Sequence, residues 1–179
     1  MARLRPGLTR RVGLLGGLVL LNGCGFRPLY APDALGGPGP ATQGLAAVYV
    51  PVIPERSGQL LRQALQQRLD GTGSGTAKRF ELVATFVVLP EGVGIQRDNS
   101  VTRTRLIGSG QWLLRDLSPE RVVVAQGSSR VLDGFNIATQ QFFAADLDQE
   151  AARRRIASTL ADQIVVQVAA YFQGRASPA

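Results

Sequence analysis

Residues Val101 to Asp116 alternate without interruption. Thr102, Thr104, Leu106, Gly108, Gly110, Trp112 and Leu114 fall on one side, and Arg103, Arg105, Ile107, Ser109, Gln111, Leu113 and Arg115 on the other. A period of two is the signature of an extended strand, because successive side chains point to opposite faces. The first face, with Leu106, Trp112 and Leu114, needs a cover. The second, with its arginines and glutamine, tolerates water. This segment therefore commits the chain to a sheet with one covered face and one open face.

Neighbouring segments supply the partners. Leu117-Ser118-Pro119-Glu120 is a tight connection, and Arg121 to Leu132 follows as a strand with Val123, Ala125 and Val131 opposite Val122 and Val124. The two form an antiparallel hairpin. Upstream, Phe80 to Leu89 has strand composition, with Phe80, Leu82, Ala84, Phe86 and Val88 on one face, and Pro90-Glu91-Gly92 is expected to end it. Leu45 to Val52 is a short apolar run read as a first strand, ended or placed at an edge by Pro51.

Two segments have helical spacing instead. From Gly58 to Asp70, Leu61, Leu65 and Leu69 share a face, with Ser57 as the expected N-cap. From about Ala144 to Phe172, Ile156, Leu160, Ile164, Val168 and Tyr171 recur. Asp146, Asp148 and Glu150 stand near its start, ahead of Arg153, Arg154 and Arg155, and Glu150 with Arg154 is a favourable four-residue pair. The predicted fold is an α/β (α+β) two-layer sandwich. It has one four-stranded mixed sheet with two helices packed on one face, in the order β-α-β-β-β-α. The intervening Gly71-Thr72-Gly73-Ser74-Gly75-Thr76 lacks the Gly-Lys-Ser/Thr ending and the strand-to-helix position of a phosphate loop, and reads as a turn.

The N-terminus has a different character. Residues 1–23 contain Arg3, Arg5, Arg10 and Arg11, no acid, and the apolar run Val12 to Leu21. This is a secretory signal peptide pattern, too short to span a bilayer. Leu21-Asn22-Gly23-Cys24 then matches a bacterial lipobox, with an apolar residue three before the cysteine and a small one just before it. Cys24 is the expected lipidation site, carrying diacylglycerol on sulfur and an acyl chain on its amine, and no other cofactor is expected. More than one acyl chain makes the anchor stable. By analogy with enterobacterial sorting, Gly25 after the cysteine points to the outer membrane. Residues 24–44, rich in Pro and Gly, read as the acylated cysteine and a flexible tether. The domain is placed at 45–173, and 174–179 is a disordered tail.

Composition narrows the chemistry. The formal charge is +7, but four of those charges belong to the leader, so no nucleic-acid partner is expected. There is no histidine, one lysine (Lys78) and one cysteine. That removes histidine-based acid–base or nucleophilic catalysis, internal disulfides and multi-thiolate metal sites. A carboxylate hydrolase using Asp98, Asp116 or Asp133 needs two of them within about 5–10 Å. The acids near Glu150 lack the spacing of a calcium loop. Neither a catalytic residue nor a metal site is expected.

Several stretches, taken in order, resemble the LPS-assembly lipoprotein family (LptE) in its alphaproteobacterial form. They are Cys24-Gly25-Phe26-Arg27-Pro28-Leu29-Tyr30, then Glu55 to Leu65 (ERSGQLLRQAL), Trp112-Leu113-Leu114-Arg115-Asp116, Phe135-Asn136, the run before Asp146, and Arg154 to Ile164 (RRIASTLADQI). Phe135, Phe142 and Phe143 stand where the family often has Tyr. The resemblance implies a two-layer α/β sandwich and a non-enzymatic lipoprotein of the outer membrane, facing the periplasm and a barrel lumen. Such a protein plugs the LPS-translocating β-barrel, helps it assemble, and contacts lipopolysaccharide (LPS). A basic residue ahead of the third strand is expected in the family, and Arg97 occupies a comparable place. Arg103 and Arg105 follow on one strand face, so these three are the candidate LPS-binding residues. A solvated strand edge is the other reading of them. A free-standing lipoprotein that binds lipid or glycan without a barrel is the alternative function.

Overall fold

The computed structural model describes residues 28–33, 35–69, 75–95, 97, 101–137 and 142–176. Its elements in chain order are α1 (Pro40–Ala46), β1 (Val48–Tyr49), α2 (Glu55–Leu69), β2 (Phe80–Ile95), β3 (Val101–Asp116), β4 (Val123–Asn136) and α3 (Phe142–Ala176). The four strands form one sheet in the order β1-β2-β3-β4. β2, β3 and β4 are an antiparallel meander, and β1 joins β2 in parallel through Val48 beside Phe80 and Tyr49 beside Glu81. The mixed four-stranded sheet and the two long helices are those expected.

The alternation of β3 holds. Leu106, Gly108, Gly110, Trp112 and Leu114 are buried, while their neighbours face outward. The glycines let α3 come close. A Cβ on Gly108 would sit 2.2 Å from Ile156 Cγ2, and one on Gly110 would sit 2.6 Å from Leu160 Cδ2. α3 therefore lies almost on the backbone of β3, burying Ile156, Leu160, Ile164 and Val168 against Leu82, Leu106 and Leu114. Phe172 completes the buried stripe, whereas Tyr171, expected there, is only half-buried.

α2 buries Leu61, Leu65 and Leu69 in the same core. Its polar edge is fastened to α3. Arg68 donates from Nε to Asp162 Oδ1 (2.5 Å) and from Nη2 to Asp162 Oδ2 (2.9 Å) and Ser158 Oγ (2.9 Å). Arg56 donates to Glu150 Oε1 at 2.8 Å, and Arg154 approaches the same oxygen at 3.4 Å, the expected i,i+4 pair.

Four details differ from expectation. A seven-residue helix, α1, occupies Pro40–Ala46, most of which the sequence assigns to the tether. Proline at its first position presets the helical φ. Gly44 packs so tightly on Phe172 that a Cβ there would lie 2.3 Å from the ring. That contact with α3 holds a helix too short to persist alone. As a result β1 shrinks to two residues. α2 starts at Glu55, whose φ is 65°, so Ser57 is inside the first turn and not its cap. β2 runs through Pro90 to Ile95, with its register shifting between Gly92 and Ile95. Beyond Glu81 its outer side has no strand partner among the described residues, and an edge strand tolerates proline. Finally, α3 reaches Ala176, so Gly174–Ala176 are helical. No described helix is long and apolar enough to cross a membrane.

Candidate binding surface

The odd-numbered residues of β2 and β3 build the open face, and the ladder registers set their order. At one end Glu81 is buried and accepts from Arg115 Nε (2.5 Å) and Arg121 Nη1 (3.1 Å). A neutral polar band follows, with Thr85 beside Gln111 and Gln111 beside Ser128. Leu89, Ile107 and Leu132 then lie side by side across three strands. Leu89 and Leu132 are 60% and 58% exposed, and Val87 beside them is also exposed. This is an apolar row that the described residues leave uncovered.

The candidate arginines stand beyond that row. Arg105 pairs in register with Glu91, and its Nε (3.0 Å) and Nη2 (2.6 Å) both donate to Glu91 Oε2. Arg103, two residues on, is exposed and has no carboxylate partner among the described residues. Both line an open depression of about 540 Å³ with Val93, Leu132, Asp133 and Gly134. Asp133 belongs to the other layer. Burial opposes its ionisation, but hydrogen bonds from Arg155 Nε (2.7 Å) and the Gly134 N–H (2.7 Å), with the Arg155 charge, outweigh it and hold the carboxyl below its ordinary range. Arg97 is an exposed turn residue between β2 and β3. Cys24, the leader 1–23 and Asp98 lie outside the described residues.

Sequence spacing found Arg103 and Arg105 on one face, but not Glu91 across from Arg105 or the Leu89–Ile107–Leu132 row. Those depend on register, which alternation alone leaves open. The arrangement therefore offers one unpaired guanidinium, one already shared with an acid, and an apolar strip alongside. Chemically this suits an amphiphile with a phosphate or carboxylate head: the guanidinium grips the anion and the strip accepts hydrocarbon.

Of the three candidate carboxylates, the two that are described, Asp116 and Asp133, do not form a pair. Asp116 Oδ1 accepts from Ser118 Oγ (2.6 Å) and the Val122 N–H (3.0 Å), which closes the β3–β4 turn. Asp133 sits opposite Leu106, ten residues along β3, roughly 33 Å away. Among the described residues no group of three His, Cys, Asp or Glu side chains is placed to hold a metal ion.

A four-stranded mixed sheet with helices on one face and an open second face is the architecture of this α+β domain, and known structures share it. A lipoprotein from Caulobacter crescentus CB15 is similar over 79% of this chain and 100% of its own, at 26% identity and TM-score 0.63. Rare lipoprotein B from Shewanella oneidensis (12% identity, TM-score 0.53) covers 73% of this chain and 96% of its own. A minor lipoprotein from Acinetobacter baumannii (14%, 0.52) covers 70% and 92%. No curated protein matches the sequence. The family model LptE, lipopolysaccharide-assembly, matches residues 45–168, and the chain belongs to that family of non-enzymatic lipoproteins.

Proposed function

We propose that this protein is an outer-membrane lipoprotein of the LPS-transport machinery. Its signal peptide is residues 1–23, and Cys24 carries the diacylglycerol and N-acyl anchor. The folded domain faces the periplasm and the lumen of an LPS-translocating β-barrel, which it plugs and helps to assemble. The observation that carries this reading is family membership across the whole sandwich, from Leu45 to Val168. The open face supports it. Its neutral band of Thr85, Gln111 and Ser128 suits a hydrated barrel wall, and the Arg103 end suits the phosphates of LPS beside its acyl chains.

Depletion of the protein tests the role, with barrel assembly and surface LPS as readouts. Both are expected to fall, and normal levels of both would overturn the proposal. Co-purification tests the partner, because a β-barrel several times larger is expected to follow the tagged protein. LPS contact is tested on purified protein at matched salt. Arg97→Ala with Arg103→Ala and Arg105→Ala is expected to weaken binding at least tenfold, and wild-type affinity would remove these arginines from the site.

A further inference from the structure

The strap before α1 is built into the domain. Leu29 packs against the core. Asp33 Oδ1 accepts from the N–H groups of Leu35 (3.0 Å) and Gly37 (2.7 Å), and Asp33 N–H donates to Gly37 O at 3.0 Å. Gln43 Nε2 donates back to Pro38 O at 2.6 Å. Four peptide steps separate Cys24 from Pro28, a reach of at most about 14 Å. A lipid anchor on Cys24 therefore holds this part of the domain close to the bilayer.

What stands there has the chemistry of a membrane contact. Pro40 and Gln43 share the rim of a depression of about 330 Å³ with Arg79, Phe80, Phe172 and Arg175. Arg79 lies 5.7 Å from the centre of the Phe80 ring. Arg175 lies 5.9 Å from the Tyr171 ring and donates to its hydroxyl at 2.8 Å. Neither guanidinium has a carboxylate partner among the described residues. The acids of this end are mostly engaged: Glu81 by Arg115 and Arg121, Asp116 in its turn, and Asp33 in the strap. Glu120 is exposed. Leu35, next to the Asp33 turn, is 96% exposed, and Tyr30 is also exposed.

We propose that this end of the domain docks on the anionic lipid surface into which Cys24 is anchored. Arg79 and Arg175 take lipid phosphates, while Leu35 and Tyr30 enter the headgroup layer. This rests on the acylation of Cys24 proposed above. The short connection raises the local concentration of the surface, so a few weak contacts are enough. Each basic residue near an anionic surface contributes about a fivefold preference, and tyrosine favours the interface. The contact orients the molecule. β2 runs from Phe80 beside this end to Gly94 beside Arg103, so the Arg103 end stands about 45 Å along the strand from the membrane-facing end.

The test uses the whole protein purified from cells and reconstituted in vesicles of phosphatidylcholine, with or without phosphatidylglycerol. Amide exchange over residues 40–46 and 171–176 is expected to slow at least about fivefold when phosphatidylglycerol is present. Arg79→Ala with Arg175→Ala is expected to erase that difference, and Arg103→Ala with Arg105→Ala to leave it intact. Exchange in α2 and β3, read in the same samples, reports that each variant is folded. Equal exchange on both vesicle types would overturn the inference, as would protection that follows a co-purifying barrel regardless of lipid. Intact mass separates the two readings. A chain without lipid on Cys24 ends the anchor and this inference together, whereas an acylated chain with no response to phosphatidylglycerol ends only the docking.

Discussion

The two faces of β3 differ in what a side chain is asked to do. On the covered face Leu106, Trp112 and Leu114 are buried among helix side chains, and Gly108 and Gly110 exist to let α3 approach. Packing there is close, so volume decides what is allowed. On the open face Ser109 and Gln111, with Leu132 on the neighbouring β4, are exposed, and the adjacent Arg105–Glu91 pair is solvated. Stability is concentrated on one side of a single strand, which frees the other to be shaped for a ligand or partner.

Two neighbouring residues give the sharpest way to break this contrast. Gly110→Val forces atoms into Leu160 and is expected to cost about 3 kcal/mol or more in urea unfolding. Ser109→Val, one residue away, is expected to change stability by less than about 0.5 kcal/mol. Similar losses for both would show that the faces do not differ in packing.

Leucines repeat the comparison without backbone effects. Leu160→Ala is expected to destabilise by about 2–5 kcal/mol. Leu132→Ala is expected to cost under about 1 kcal/mol and to weaken LPS binding instead.

A polar connection through the covered layer is intermediate. Trp112 Nε1 donates to Gln167 Oε1 at 3.0 Å, and Gln167 Nε2 donates to Ser129 Oγ at 3.1 Å. Gln167→Leu leaves the indole N–H without its acceptor, at an expected cost of about 1–3 kcal/mol. Trp112 fluorescence and urea unfolding would measure it.

The smallest effect concerns pH. The hydrogen bond from Arg68 holds the Asp162 carboxyl below its ordinary range, against burial and helped by the Arg68 charge. A lowered folded value means the pair stabilises above the unfolded carboxyl range, about pH 4, and that this contribution is lost as pH falls through the folded value. Asp162 is well exposed, so solvent screening reduces the pair to a few tenths of a kcal/mol. Asp162→Asn is expected to be less stable than wild type by that amount at neutral pH and to converge with it once the pH falls below the folded carboxyl's range. A constant gap down to that pH would assign the effect to something other than charge.

Period-two and helical spacing made β3, the β3–β4 hairpin and the buried stripes of α2 and α3 legible, because each element is long enough to repeat its pattern. α1 was hidden by its Pro-Gly surroundings, and burial of Ala41, Gly44 and Leu45, with Gly44 close on Phe172, holds it as a helix. Pro90 marked an end to β2 that the missing outer partner makes unnecessary. For the candidate site, strand parity gave the arginines, but their surroundings waited on register. Arg105 proved to be shared with Glu91, which leaves Arg103 as the better-placed cation of the two. The lipobox-like stretch before Cys24 is read from order and residue type alone, and it lies outside the described residues.

β1 contributes two paired residues, and α1 is seven residues long. Everything ahead of α2 is therefore joined to the sheet by one of its slightest ladders. A pull on the molecule through its N-terminus is expected to open the two-residue β1–β2 ladder before the long ladders of the β2–β3–β4 meander. Local opening of this kind costs less than global unfolding. The strap thus acts as a mechanical fuse between the N-terminal end of the chain and its folded body.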